Sequence, residues 1–229
     1  MKVAANIVAL LALCAPASAQ TATSEFWPQI NAQVQLPRQF RVTGYTGLEN
    51  SEAIPYQQIF AGGDLGYQWK RISRLHHRNS DSDKEHTLVF VGGYEFLHTL
   101  NSGKQKIETR LMLQGTIARR PMSALLITDR NRVEFRWVNG DYSTRYRNML
   151  RFGYDLVVHK YHFTPYAAAE AYYDGGKGSW NEEQYTAGSE WPFHRMFMMQ
   201  TYYLRQHCTT CSPVNVNAAG LTLNFYFNR

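Results

Sequence analysis

Between residues 129 and 158 the chain alternates polar and apolar positions with a period of two. Arg130, Arg132, Glu134 and Arg136 share one face of the first arm, and Asn131, Val133, Phe135 and Trp137 share the other. After a turn at Val138-Asn139-Gly140-Asp141, Arg145, Arg147, Arg151 and Asp155 lie opposite Tyr146, Leu150, Phe152, Tyr154, Leu156 and Val158. Side chains of a strand point alternately to its two faces, so this stretch predicts a long hairpin. A soluble sandwich rarely builds a row of arginines on such strands. A transmembrane barrel does, because its apolar side chains face lipid and its polar ones face the lumen.

The same alternation runs along most of the chain. Gln29, Asn31, Gln33 and Gln35 oppose Ile30, Ala32, Val34 and Leu36, and Phe40, Val42, Gly44 and Thr46 continue the apolar side on a second strand. A third strand is expected over 58–70 and a fourth over 86–97. In the fifth, Lys106, Glu108, Arg110, Met112 and Gln114 oppose Ile107, Leu111, Leu113 and Ile117. The opening hairpin supplies two more. The next, from His162 to Asp174, sets Tyr166, Glu170 and Tyr172 against Phe163, Ala167, Ala169 and Tyr173. Three further strands end at Trp191-Pro192, cover 195–206 and cover 215–227. Loops are expected over 50–57, 71–85, 174–181 and 207–213.

This reading gives about eleven strands, whereas single-chain bacterial barrels ordinarily hold an even number. Either a short strand hides in 71–85 or one strand does not span. The expected fold is therefore all-β, an antiparallel up-and-down transmembrane barrel of about 10–12 strands, with twelve preferred. Strands of about thirteen to seventeen residues exceed the ~9–11 that cross a bilayer, which favours the membrane over a soluble lipocalin-like barrel.

The first residues read as a secretory leader. Lys2 is a positive start, Ile7 to Leu13 a short apolar run, and Ala17-Ser18-Ala19 a cleavage signal. Residues 1–19 are thus expected to be a signal peptide and 20–229 a single barrel domain in the bacterial outer membrane. Leu13 is too bulky to make Cys14 a good lipidation site.

The formal charge is +6. The excess suits anionic headgroups or an anionic solute, or simply lumen arginines paired with carboxylates. The charges alternate along strands and do not cluster on a helix, which argues against nucleic acid. Cys208-Thr209-Thr210-Cys211 reads as a small-loop disulfide in an exported protein. A redox motif would need a βαβ context, and a metal site would need more ligands than His207 beside it. His76-His77 is read as a solvated loop pair.

With these motifs in view, the sequence resembles the bacterial family called domain of unknown function 2490. The resemblance rests on Glu25-Phe26-Trp27 at the start and the strand Arg130, Arg132, Glu134 and Arg136. It continues in Arg145-Tyr146-Arg147 and in Pro165-Tyr166 with Glu170. It covers the mature chain and implies an outer-membrane barrel of undetermined activity. Phe227 near the C-terminus resembles the terminal aromatic that barrel-assembly machinery reads, although Asn228 and Arg229 follow it.

The candidate site is a lumen network of Glu108, Arg110, Arg130, Arg132, Glu134, Arg136, Arg145, Arg147, Arg151, Glu170 and Glu190. In so narrow a lumen these charges must pair, which gives a structural, closed barrel. The alternative is a narrow channel or binding protein for small anionic solutes. An outer-membrane hydrolase is the second alternative, using His159, His162 or His207 with Ser179 or Ser189. No G-x-S-x-G elbow, H-E-x-x-H or phosphate loop supports that reading. The expected partners are outer-membrane lipid and the assembly machinery. No cofactor is called for, and a monomer is expected.

Overall fold

The computed structural model describes residues 22–51, 56–69, 88–100, 105–159 and 161–228. The leader with Cys14, the 71–85 connection with His76 and His77, and the Asn101-Ser102-Gly103 turn lie outside these residues, as does part of the 50–57 loop.

The period-two segments fold as strands in chain order. They are β1 (Thr23–Gln35), β2 (Phe40–Ser51), β3 (Tyr56–Trp69), β4 (Leu88–Leu100), β5 (Lys106–Arg119) and β6 (Leu125–Val138). After them come β7 (Asp141–Tyr154), β8 (Leu156–Val158), β9 (Tyr161–Asp174), β10 (Ser179–His194), β11 (Phe197–Cys208) and β12 (Asn215–Asn228). One sheet holds them all and closes on itself. Eleven strands make the wall, and β8 is an addition three residues long.

That count corrects the preference for twelve spanning strands. β3 and β4 pair directly from Gln57–Leu100 to Trp69–Leu88, so no further wall strand stands between them. The additional element is instead β8, the end of the β7 arm after a break at Asp155, and it pairs only with the start of β9. Asp155 holds this corner. It accepts hydrogen bonds from Arg120 at 2.9 Å and Thr164 at 2.7 Å, while its N–H donates to the Ala124 carbonyl.

An odd wall dictates how the barrel closes. Strands that alternate in direction leave the first and the eleventh running the same way. All other neighbours are antiparallel, but β1 and β12 pair in parallel from Thr23–Val216 to Gln35–Asn228. The seam is reinforced inside the barrel, where Asn31 Nδ2 donates to Asn224 Oδ1 at 2.8 Å. Gly220 is required nearby, because a Cβ at that position would overlap the Tyr202 ring lying across it.

Alternation then sorts the side chains. Ile30, Ile59, Leu65, Leu111, Leu113, Val133 and Leu150 stand exposed on the outer wall. Exposed aromatics border this aliphatic band. Phe26, Trp137, Tyr142 and Trp180 lie toward one rim, and Tyr67, Trp69, Tyr154, Tyr161, Phe193 and Phe227 toward the other. An apolar band between aromatic girdles is the exterior of a transmembrane barrel. Among the described residues no helix is present.

Val133→Arg and Phe135→Arg test this face assignment. A cation on the lipid face near the midplane costs ~2–4 kcal/mol, so both variants should fold poorly into lipid vesicles, read by heat-modifiable gel mobility. Normal folding of both would invert the faces.

Candidate functional site

The inward positions of β5, β6, β7, β9 and β10 build a charged lattice. Its centre is Glu134 on β6, which is 0% exposed. Arg147 Nη1, one strand away on β7, donates to its Oε1 at 3.0 Å, and Arg132 lies 3.8 Å from the same oxygen. Arg147 also grips Glu170 on β9 through two parallel bonds, Nε to Oε1 at 2.9 Å and Nη2 to Oε2 at 3.0 Å. This fork-on-carboxylate geometry is specific to arginine. Arg130 reaches the same Glu170 at 2.7 Å.

Tyr172 completes this layer. Its hydroxyl accepts from Arg147 Nη2 at 2.8 Å, and its ring lies 4.4 Å beneath the Arg147 guanidinium. A cation over an aromatic face is attracted by the ring quadrupole. Arg145 lies over the same ring at 5.5 Å and 3.8 Å from Glu182.

Two smaller groups flank the centre. Toward the end of the barrel that holds the β6–β7 turn, Glu108 is 2% exposed and accepts from Arg110 Nε and Arg136 Nε, each at 2.6 Å. Lys106 is 3.2 Å away, and Arg110 extends the chain of contacts to Glu95 on β4 at 2.9 Å. Toward the other end, Arg151 bonds Glu190 and lies 3.8 Å over the Tyr166 ring. Arg132 differs from the rest, since its Nε and Nη2 both donate to an uncharged acceptor, Gln114 Oε1, at 2.9 and 2.7 Å.

The structure therefore brings all the lumen residues singled out from the sequence onto the inner wall. It adds Glu25, Arg41, Glu49, Asp64, Glu95, Lys106 and Glu182, which register places on the same face. Among the described residues nine cations and nine acids then stand along the inner wall, and two more acids, Asp141 and Asp174, hold inward register positions at the rim. Arg41, Lys106, Arg110, Arg130, Arg132, Arg136, Arg145, Arg147 and Arg151 face Glu25, Glu49, Asp64, Glu95, Glu108, Glu134, Glu170, Glu182 and Glu190. Of the missed acids, Glu25, Glu49, Asp64 and Glu95 are each the only acid on their strand, while Glu182 shares β10 with Glu183 and Glu190. Parity was their only signal, as with Glu95 between the outward Tyr94 and Phe96.

Two cavities lie within the lumen. One cavity of about 480 Å³ sets Arg130, Arg132, Arg147 and Arg151 against an amide and tyrosine wall of Gln29, Asn31, Gln184, Gln200 and Tyr202. A second, of about 710 Å³, opens toward the β6–β7 turn and is lined by Glu25, Arg136, Arg145, Tyr172 and Pro213. Trp27, Glu49, Arg110, Arg147 and Gln184 border both and form the waist between them.

Cys208 and Cys211 are joined as a disulfide at the mouth of the larger cavity. Glu182 lies beside them, but bonded sulfurs are not thiolate ligands for a metal. His207 belongs to β11 and not to a loop, and its Nδ1 lies 2.8 Å from Asn215 Oδ1. Ser189 Oγ is buried without a hydrogen-bond partner.

Residues 24–217 match the family model described as a protein of unknown function, DUF2490. The chain belongs to this family. No curated protein matches the sequence. Among solved structures it is similar to the KdgM porin, solved in complex with disordered oligogalacturonate. Identity is 10% and the TM-score 0.44, over 79% of this chain and 82% of that one.

Glu134→Ala should expose the dependence of the lattice on its central anion. Removing one partner of a buried pair strands the other charges and costs about 3–5 kcal/mol. Urea unfolding in lipid should show that loss, and an unchanged midpoint would mean that Glu134 is not a structural partner.

Proposed function

We propose that this DUF2490 member is a closed barrel of the bacterial outer membrane, whose charge-networked lumen stiffens the wall and conducts no solute. The observation that carries this reading is the lattice across the lumen. Glu134 and Glu108 are held by arginines from neighbouring strands, and Arg147 stands with Trp27, Glu49, Arg110 and Gln184 where the two cavities meet. Ions confined in a narrow interior are stable only when paired and hydrogen-bonded. Among the described residues the inward cations do not outnumber the acids, so the lumen lacks the net positive field that would draw in an anion.

One observation favours the narrower reading of a passage or binding chamber for small anions. The two cavities share a waist, and Arg132 spends its strongest bonds on an amide, so its charge is the least committed of the central arginines.

Planar-bilayer conductance of the refolded chain separates the two. The closed barrel inserts stably and shows no discrete current steps. Anion-preferring steps, reduced by Arg132→Ala, would overturn it in favour of a small-anion channel.

A further inference from the structure

The outer wall carries a polar cluster that the lumen does not explain. Asp129 and Asn131 on β6 and Tyr146 and Asn148 on β7 all lie on the lipid-facing side, with Asn131 and Asn148 opposite each other in register. Asn131 is the seventh of the fourteen residues of β6, so the cluster sits near mid-strand. Apolar outward neighbours bracket it, Ile127 and Val133 on β6 and Leu150 on β7. Hydrocarbon offers no hydrogen-bond partner there, and polar side chains at that depth are costly unless they meet another polar group.

Its internal bonds converge on two atoms. Asp129 Oδ1 accepts from Asn131 Nδ2 at 3.2 Å and from Asn148 Nδ2 at 3.0 Å. Asn131 Oδ1 accepts from Asn148 Nδ2 at 3.0 Å and from the Tyr146 hydroxyl. Among the described residues nothing engages Asp129 Oδ2, the Asn148 amide oxygen or the second Asn131 N–H. One copy thus presents free acceptors and a free donor side by side. That set is complementary to itself, because the Asn131 N–H of one copy suits the Asp129 carboxylate of another, and the reverse.

The surroundings allow close approach. In register with the cluster lie Gly115 on β5 and Ala171 on β9. A Cβ on Gly115 would meet nothing within 4 Å, and Ala167 and Ala169 continue an exposed row of small side chains. Beyond Gly115 an outer recess of about 550 Å³ runs to Phe40 and Tyr67. A two-fold axis normal to the membrane sets each recess opposite the alanine row of the other copy.

We propose that this face is the interface of a homodimer within the membrane, in which the two copies satisfy each other's Asp129, Asn131 and Asn148. The dimer takes the place of the monomer expected from the sequence, and it does not depend on whether the lumen conducts.

The test is energy transfer between donor- and acceptor-labelled copies of the full refolded chain in phosphatidylcholine vesicles, titrated by lipid dilution. Transfer should survive dilution in the parent. Asn131→Leu with Asn148→Leu should weaken association about tenfold for each hydrogen bond lost. Folding of that variant, checked by gel mobility, should be intact, because the lost groups face lipid. In the parent, Asn148→Cys alone should cross-link to a dimer on oxidation. Transfer that vanishes on dilution, or is unchanged in the double variant, would overturn the proposal. So would a parent that stays monomeric while retaining bound lipid.

Discussion

Closure is the constraint on which the rest of this structure depends. Hydrocarbon cannot hydrogen-bond an exposed strand edge, so a sheet in a membrane must pair its first strand with its last. Eleven strands of alternating direction leave only one way to do so. β1 and β12 run side by side in parallel over thirteen register pairs. Parallel ladders are slightly less stable per residue than antiparallel ones. The seam here adds side-chain bonds inside the wall, from Asn31 to Asn224 and from Thr23 to the Asn215 carbonyl.

A small closed barrel then forces its own interior chemistry. Side chains alternate, so an apolar exterior puts every second residue into a lumen with little room. The chain fills one wall, β5 to β7, with arginines and arranges carboxylates among and beside them on β4, β5, β6, β9 and β10. Arg147 shows the logic best, joining Glu134, Glu170 and Tyr172 from one side chain. The facing strands β11, β12 and β1 are amide-rich, with Glu25 their inward acid, so charge in the lumen is uneven in its distribution.

The hairpin at 125–154 was legible because its alternation is dense and long, and the faces read from it match the structure. The family was legible for the same reason, through Glu25-Phe26-Trp27 and the arginine strands. The count was harder. Eleven segments could be read, but the general preference for even barrels pointed to a twelfth, which no local pattern could refute. Only the β3–β4 register does so. The isolated acids Glu49, Asp64 and Glu95 were missed because each is the lone acid of its strand, with no charge two residues away to mark a charged face, although Asp64 and Glu95 lie within segments read as strands. Asp129 and Asn131 break the lipid-face pattern within the best-read hairpin, and their meaning needed the neighbouring Asn148 in register.

The parallel seam can be tested by cross-linking across it, in a chain whose Cys208 and Cys211 are replaced by serine. Glu25→Cys with Ala218→Cys and Gln33→Cys with Tyr226→Cys are register partners in the parallel pairing. Each pair should form a disulfide in the folded barrel on mild oxidation. The crossed pairs, 25 with 226 and 33 with 218, should not. Cross-linking of the crossed pairs alone would mean an antiparallel seam, and the eleven-stranded wall would be wrong.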